Sequence, residues 1–221
     1  MKRKKRGSGM RGKTAVIVVD VQGDFTTAKK GALAVPDTDE RFLRKAARAI
    51  RRLKGQGIDI YGTQDWHPPD HVSFAVNHPG RKVFETVRLE RKTQVLWPPH
   101  CVHGTDGARV LVDNNLFQAI VKKGQHSKFD SYSGFQDDGG AQTEMHTILK
   151  AAGIGKLIIF GLATDYCVKA TAIDAVDRGY DVVVVEGLCR GVAPDTTAKA
   201  LEEMKARGII IVKEAGALIK K

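Results

Sequence analysis

Cysteine is scarce in these 221 residues: Cys101, Cys167 and Cys189 stand far apart and are odd in number. That argues against a disulfide framework and for a reducing compartment. No apolar run approaches the length of a bilayer span and no signal peptide with an apolar core opens the sequence, so a soluble, cytoplasmic protein without membrane contact is expected. No internal repeat is visible. The first 13 residues contain neither an acid nor an aromatic residue, and Lys2, Arg3, Lys4, Lys5, Arg6, Arg11 and Lys13 among them supply seven of the positive charges. Without these seven the formal net charge falls from +11 to +4, so the excess belongs largely to this segment. Residues 1–13 read as a disordered basic tail, and 14–221 as one domain. Lacking any aromatic for base stacking, the tail reads as a solvated arm, and no specific nucleic-acid partner is expected.

What is present is an alternation of short apolar runs with helical patterns. Residues 14–19 form a β-branched run that reads as a buried central strand ending at Asp20. Apolar positions between 39 and 54 recur at helical spacing, and residues 58–63 read as a second strand. A third strand is expected over 117–121, followed by helix 141–152 and strand 157–160. Helix 165–178, strand 182–185, helix 195–207 with Asp195 as its cap, and strand 209–212 complete the pattern. This is an α/β chain with a doubly wound, mainly parallel sheet of about six strands and helices on both faces, a Rossmann-like fold. The stretch 77–94 is charged and aperiodic and reads as a long excursion.

Ionisable residues gather at strand ends, the edge where open parallel sheets bind ligands. Asp20 follows the first strand. Asp65, His67 and His71 follow the second, and Asp-x-His can present a carboxylate and an imidazole to one metal ion or occur by chance. His100 is a candidate third ligand in the loop Trp97-Pro98-Pro99-His100-Cys101, while His103 reads as a surface histidine. Trp97 is either a core aromatic or a wall for a flat ring. Lys123 follows the third strand. Cys167 sits in Gly161-Leu162-Ala163-Thr164-Asp165-Tyr166-Cys167-Val168, where a strand hands over to a helix capped by Thr164 or Asp165. A helix N-terminus favours a thiolate and can hold an oxyanion; a half-buried structural cysteine is the alternative. Cys101 and Cys189 are assigned to packing.

Asp20, Lys123 and Cys167 share one address at three strand ends, as a catalytic triad on an open sheet requires. Together with Val19-Asp20-Val21-Gln22-Gly23-Asp24-Phe25, Gln64-Asp65-Trp66-His67-Pro68, the Trp97–Cys101 loop, Lys123-Gly124, Asp130-Ser131-Tyr132-Ser133-Gly134-Phe135 and the cysteine turn, the chain resembles nicotinamidases (pyrazinamidase-type amidases) of the isochorismatase-like cysteine hydrolase superfamily over residues 14–213. The resemblance implies hydrolysis of nicotinamide to nicotinate and ammonia in NAD salvage, through a thioester on Cys167. It implies Asp20 as proton acceptor and donor, Lys123 as its partner, and the N–H groups of Ala163 and Cys167 as an oxyanion hole beside a cis Leu162–Ala163 peptide. It further implies a divalent ion on Asp65, His67 and His100, zinc foremost with Fe2+ or Mn2+ as alternatives, and a ring pocket of Phe25, Trp97, Tyr132 and Tyr166. Whether His71 joins the ion and whether the chain forms a homo-oligomer are left open. A superfamily amidase acting on a carbamoyl or ureido substrate is the alternative enzyme, with no use for the metal triad. A nucleic-acid-binding protein that keeps the α/β body as a scaffold is the alternative of another class.

Overall fold

The molecule is a computed structural model describing residues 12–89 and 92–218. Residues 1–11 of the expected tail lie outside the described residues. The first strand begins one residue earlier than expected, at Lys13, whose N–H donates to the Gly153 carbonyl (2.9 Å).

Strand β1 (Lys13–Val19) is followed by helix α1 (Glu40–Lys54) and β2 (Asp59–Asp65). A hairpin of β3 (Thr86–Leu89) and β4 (Lys92–Val95) then precedes β5 (Ala119–Lys123). The remainder alternates: α2 (Met145–Ala151), β6 (Ile154–Gly161), α3 (Lys169–Asp177), β7 (Asp181–Val185), α4 (Pro194–Ala206) and β8 (Ile210–Val212). Six strands form one parallel sheet in the order β5-β2-β1-β6-β7-β8, and β3 and β4 pair antiparallel outside it.

The continuous apolar run of β1 follows from its central place, since Ala15 to Val19 are all buried between β2 and β6. Each of the Val and Ile side chains contributes about 1.5–3 kcal/mol by leaving water. From β1 the chain steps to β2 on one side, and from β6 to β7 and β8 on the other. Right-handed crossovers in opposite directions place α1 on one face and α3 and α4 on the other. The order reverses between β1 and β6, so the carboxyl ends of these two strands flank a crevice. They approach closely there: Gly161 has φ +135, and a Cβ on it would lie 2.0 Å from the Val19 carbonyl oxygen. Among the described residues no helix is long and apolar enough to cross a membrane.

Several local expectations are corrected. The stretch 77–94 contains a hairpin; its short strands carry charged, partly exposed residues and so lack a clean apolar alternation. The third strand runs from Ala119 to Lys123, with Phe117 in the turn after Asn114–Leu116. Helix α2 starts only at Met145, and the last strand at Ile210. Residues Thr164–Val168 form a π-helical turn before α3, and neither Thr164 nor Asp165 caps that helix. Nor does Asp195 cap α4, whose N-cap is Ala193 with Pro194 as its first residue.

Asp165 supplies the missing acceptor from the cysteine turn. Its carboxylate takes the N–H groups of Val192 (3.0 Å) and Ala193 (3.3 Å) and the Thr196 hydroxyl (2.5 Å), pinning the start of α4 onto the turn. Asp165→Ala is expected to cost about 1–3 kcal/mol in urea unfolding, because buried donors lose their partner. Asp195→Ala should stay within about 0.5 kcal/mol of the parent protein.

Candidate active site

Strand alternation separates two neighbouring lysines at the end of β5. Lys122 faces outward over the Trp66 ring (3.9 Å), whereas Lys123 turns inward and is 1% exposed. Register places Lys123 opposite Asp65, the last residue of β2. The Lys123 ammonium lies 2.5 Å from Asp65 Oδ1, 3.0 Å from Asp20 Oδ2, 2.7 Å from the Ser131 carbonyl and 3.5 Å from Cys167 Sγ. Asp20 follows β1 with φ 47, its N–H donating to the Thr63 hydroxyl (3.2 Å), which donates back to Asp20 Oδ1 (2.6 Å). Asp20 Oδ2 takes no aligned hydrogen bond despite the nearby ammonium. That oxygen is an open acceptor, and a carboxylate oxygen of Asp20 lies within 4.8 Å of the Cys167 thiol.

Burial governs the protonation of this cluster. It raises Asp20 to about 6, with Lys123 opposing the rise and Asp65 adding to it. Burial works against the charges of Asp65 and Lys123 too, but their mutual attraction overrides it. Lys123, supported by Asp20, Asp65 and Cys167, is held charged well above its usual range. Asp65, facing Lys123, His67 and His100, stays ionised far below its own. The expected thiolate at a helix N-terminus is corrected. Burial pushes the Cys167 thiol well above its ordinary range, and the carboxylates of Asp20 and Asp65 offset the help from Lys123. The resting cysteine is a thiol beside a base.

A second cluster borders the first. Asp65, His67 and His100 bring one donor atom each within 4.8 Å of one another. His67 Nδ1 contacts the Gly124 carbonyl (2.8 Å) and His100 Nδ1 the Pro98 carbonyl (2.8 Å). Each Nδ1 is therefore held as a donor and Nε2 is turned into the site, the arrangement that fixes metal-ligating imidazoles. Without an ion, Asp65 overrides burial and favours a proton on His67, which a bound cation would displace. Gly124 is required here: a Cβ on it would lie 2.3 Å from the His67 ring. Burial and the neighbouring His67 lower His100 to about 4, keeping its lone pair free. His67 Nε2 lies 3.6 Å from Asp65 Oδ2, near the edge length of a tetrahedron with bonds of about 2.1 Å. These residues fit a divalent ion. His71 stacks on His67 at 4.2 Å, but its nitrogens are engaged by Ser73 Oγ (2.7 Å) and the Phe129 carbonyl (3.2 Å).

Bordering both clusters is a small, mainly apolar pocket lined by Phe25, Trp97, Tyr132 and Tyr166 together with Ala163, Cys167, Asp65 and His100. Trp97 meets Tyr166 edge-on at 5.0 Å, and Tyr132 lies 5.5 Å from Tyr166. The Leu162–Ala163 peptide is cis.

Residues 14–215 match the isochorismatase domain family. The chain belongs to the isochorismatase family. Within it, the chain is 41% identical over 199 residues to the nicotinamidase of Escherichia coli, covering 88% of this chain and 92% of that protein. A solved Acinetobacter baumanii nicotinamidase/pyrazinamidase superposes with a TM-score of 0.85 at 37% identity, covering 96% of this chain and all of that one. A Pyrococcus horikoshii pyrazinamidase solved in complex with zinc has a TM-score of 0.76 at 38% identity, covering 91% of this chain and 99% of that one.

This isochorismatase-family fold thus gathers every site residue expected from the sequence around one crevice. Sequence reasoning missed Thr63, the Ser131 carbonyl, Asp130, and the pocket residues Leu33, Val35 and Val192. The first three had a faint signal, a strand-end position or a polar run; the aliphatic residues had none. If Asp65, His67 and His100 hold the ion, elemental analysis of His67→Ala and His100→Ala should show metal falling well below one equivalent per chain. Retained stoichiometric metal would contradict the ligand set.

Proposed function

We propose that this chain is a nicotinamidase, hydrolysing nicotinamide to nicotinate and ammonia in NAD salvage. The observation that carries the reading is the convergence of the Asp20–Lys123–Cys167 cluster and the Asp65–His67–His100 donor set on one aromatic-lined pocket. A carbamoyl or ureido amidase would need the first cluster but not the second. Two further free cysteines, Cys101 and Cys189, suit a reducing compartment such as the cytoplasm.

The pyridine ring enters between Phe25, Trp97, Tyr132 and Tyr166, with its nitrogen toward the donor set and its carboxamide toward Cys167. A divalent ion on Asp65, His67 and His100, foremost zinc with Fe2+ or Mn2+ served by the same donors, supplies a Lewis-acidic anchor for the ring. The thiol proton passes to Asp20 Oδ2 as Sγ bonds the carboxamide carbon. The oxyanion formed there is held by the N–H groups of Ala163 and Cys167. Asp20 returns the proton to the nitrogen, the C–N bond breaks, ammonia leaves and a nicotinoyl thioester remains. Water then attacks the thioester carbon, giving its proton to Asp20. Nicotinic acid departs as the sulfur leaves, giving its carboxyl proton to ammonia in solution, and Asp20 restores the thiol proton. Lys123 stays charged throughout, orienting Asp20 and favouring the transient thiolate.

Purified protein should release ammonia from nicotinamide, and Cys167→Ala should lower kcat at least about a thousandfold. Absence of turnover in the metal-loaded parent protein would overturn the assignment. Because Asp20 must be ionised to accept the proton, kcat/KM is lost as pH falls through its pKa. With burial placing that value at about 6, and a cation beside Asp65 lowering it further, the acid limb of the pH–rate profile should lie at or below about pH 6.

A further inference from the structure

Gln94 is the buried polar side chain of a hairpin whose other described residues are exposed or half-buried. Alternation along β4 turns it inward, between exposed Thr93 and half-buried Val95, behind the pocket residues Asp130 and Tyr132. Its amide donates to Asp130 Oδ2 (2.7 Å) and lies 3.4 Å from the Tyr132 hydroxyl. The other Asp130 oxygen accepts the Ser131 N–H (2.8 Å). Trp97 Nε1–H donates to the same Tyr132 hydroxyl (3.2 Å). Two rings that line the pocket therefore meet at one phenol oxygen, beside the amide that Gln94 donates to Asp130.

The hairpin is itself anchored on both sides of this network. Phe84 meets the outer edge of Trp97 at 6.1 Å, and Lys92 pairs with Asp138 at 2.8 Å. The backbone brackets Trp97 as well, since its N–H donates to the Ser73 carbonyl (2.7 Å) and its carbonyl accepts the Ala75 N–H (2.9 Å). What the backbone leaves undetermined is the tilt of the indole and phenol rings, and their polar atoms are where Gln94 acts.

We infer that Gln94 is a positioning residue for substrate. Through Asp130 and Tyr132 it holds Trp97 and Tyr132 as a fixed wall against a flat heteroaromatic amide. The inference rests on the nicotinamidase reading for the identity of that amide, but not for the network. Without the Gln94 amide, Asp130 Oδ2 loses its donor in a site 5% exposed and must seek another. The phenol beside that amide, and the indole bonded to the phenol, then lose a fixed neighbour. Cys167, Lys123 and Asp20 do not touch Gln94, so the loss should fall on binding.

The test compares the metal-loaded parent protein with Gln94→Leu and Gln94→Glu, using nicotinamide as substrate. Gln94→Leu should raise KM about tenfold, the effect of one lost hydrogen bond to a charged group, with kcat changed less than about threefold. Gln94→Glu should recover relative to the parent as pH falls from about 8 to about 6, because a protonated carboxyl can donate to Asp130, while the ratio for Gln94→Leu stays flat. A parental KM in Gln94→Leu, or a pH-independent ratio for Gln94→Glu, would overturn the inference. If Gln94→Leu does not fold, the Gln94→Glu ratio decides. Should the parent protein not turn over nicotinamide, the functional reading fails separately. Trp97 emission in a Trp66→Phe background then reports on the wall: a shift in Gln94→Glu supports positioning, and an unchanged spectrum overturns it.

Discussion

The Lys123 ammonium stands between two carboxylates, a carbonyl and a thiol with almost no exposure to solvent. Such a charge is tolerable inside a protein only while its partners remain in place. Breaking a buried ion pair by removing one member typically costs about 3–5 kcal/mol. Lys123 ends β5, and its partners come from the ends of β1 and β2, from the loop at Ser131 and from the cysteine turn after β6. The ion cluster therefore fixes how four segments of the sheet edge meet. The same contact that costs desolvation also sets the chemistry, since it keeps Asp65 ionised and Lys123 charged and leaves Asp20 as a base of moderate strength.

Asp65 connects the two halves of the site. One of its oxygens serves Lys123 and the other faces His67, so the proton-transfer cluster and the metal donor set share a single carboxylate. In the proposed reaction this shared carboxylate would link the site that holds the ring to the one that holds the nucleophile. The outer shell continues the logic. Gly124 and Pro98 carbonyls orient the two imidazoles, and Gln94 donates to Asp130 beside the aromatic residues.

Much of this was legible in the sequence because parallel strands deliver their last residues to one edge. Asp20, Asp65, Lys123 and the cysteine turn each follow a recognisable apolar run, and the doubly wound order brings those ends together. The hairpin at 86–95 was illegible because its strands lie outside the main sheet and bury Gln94 rather than an apolar stripe. Asp165 resembled a local cap, but its acceptors serve α4 about thirty residues away, a long-range bond that no local pattern encodes. The thiol was misjudged for a related reason. A helix terminus is visible in a sequence, whereas the burial and the two facing carboxylates that outweigh it appear only when the strands are assembled.

The central claim is that Lys123 makes Cys167 competent by holding the base and the metal-side carboxylate in register. Rapid mixing with nicotinamide, acid quench and mass analysis of the Cys167 peptide measures acylation of the thiol directly. The parent protein should form a nicotinoyl adduct within its turnover time, and Lys123→Met should form it at least about a thousandfold more slowly. An adduct appearing in Lys123→Met at the parental rate would contradict the account.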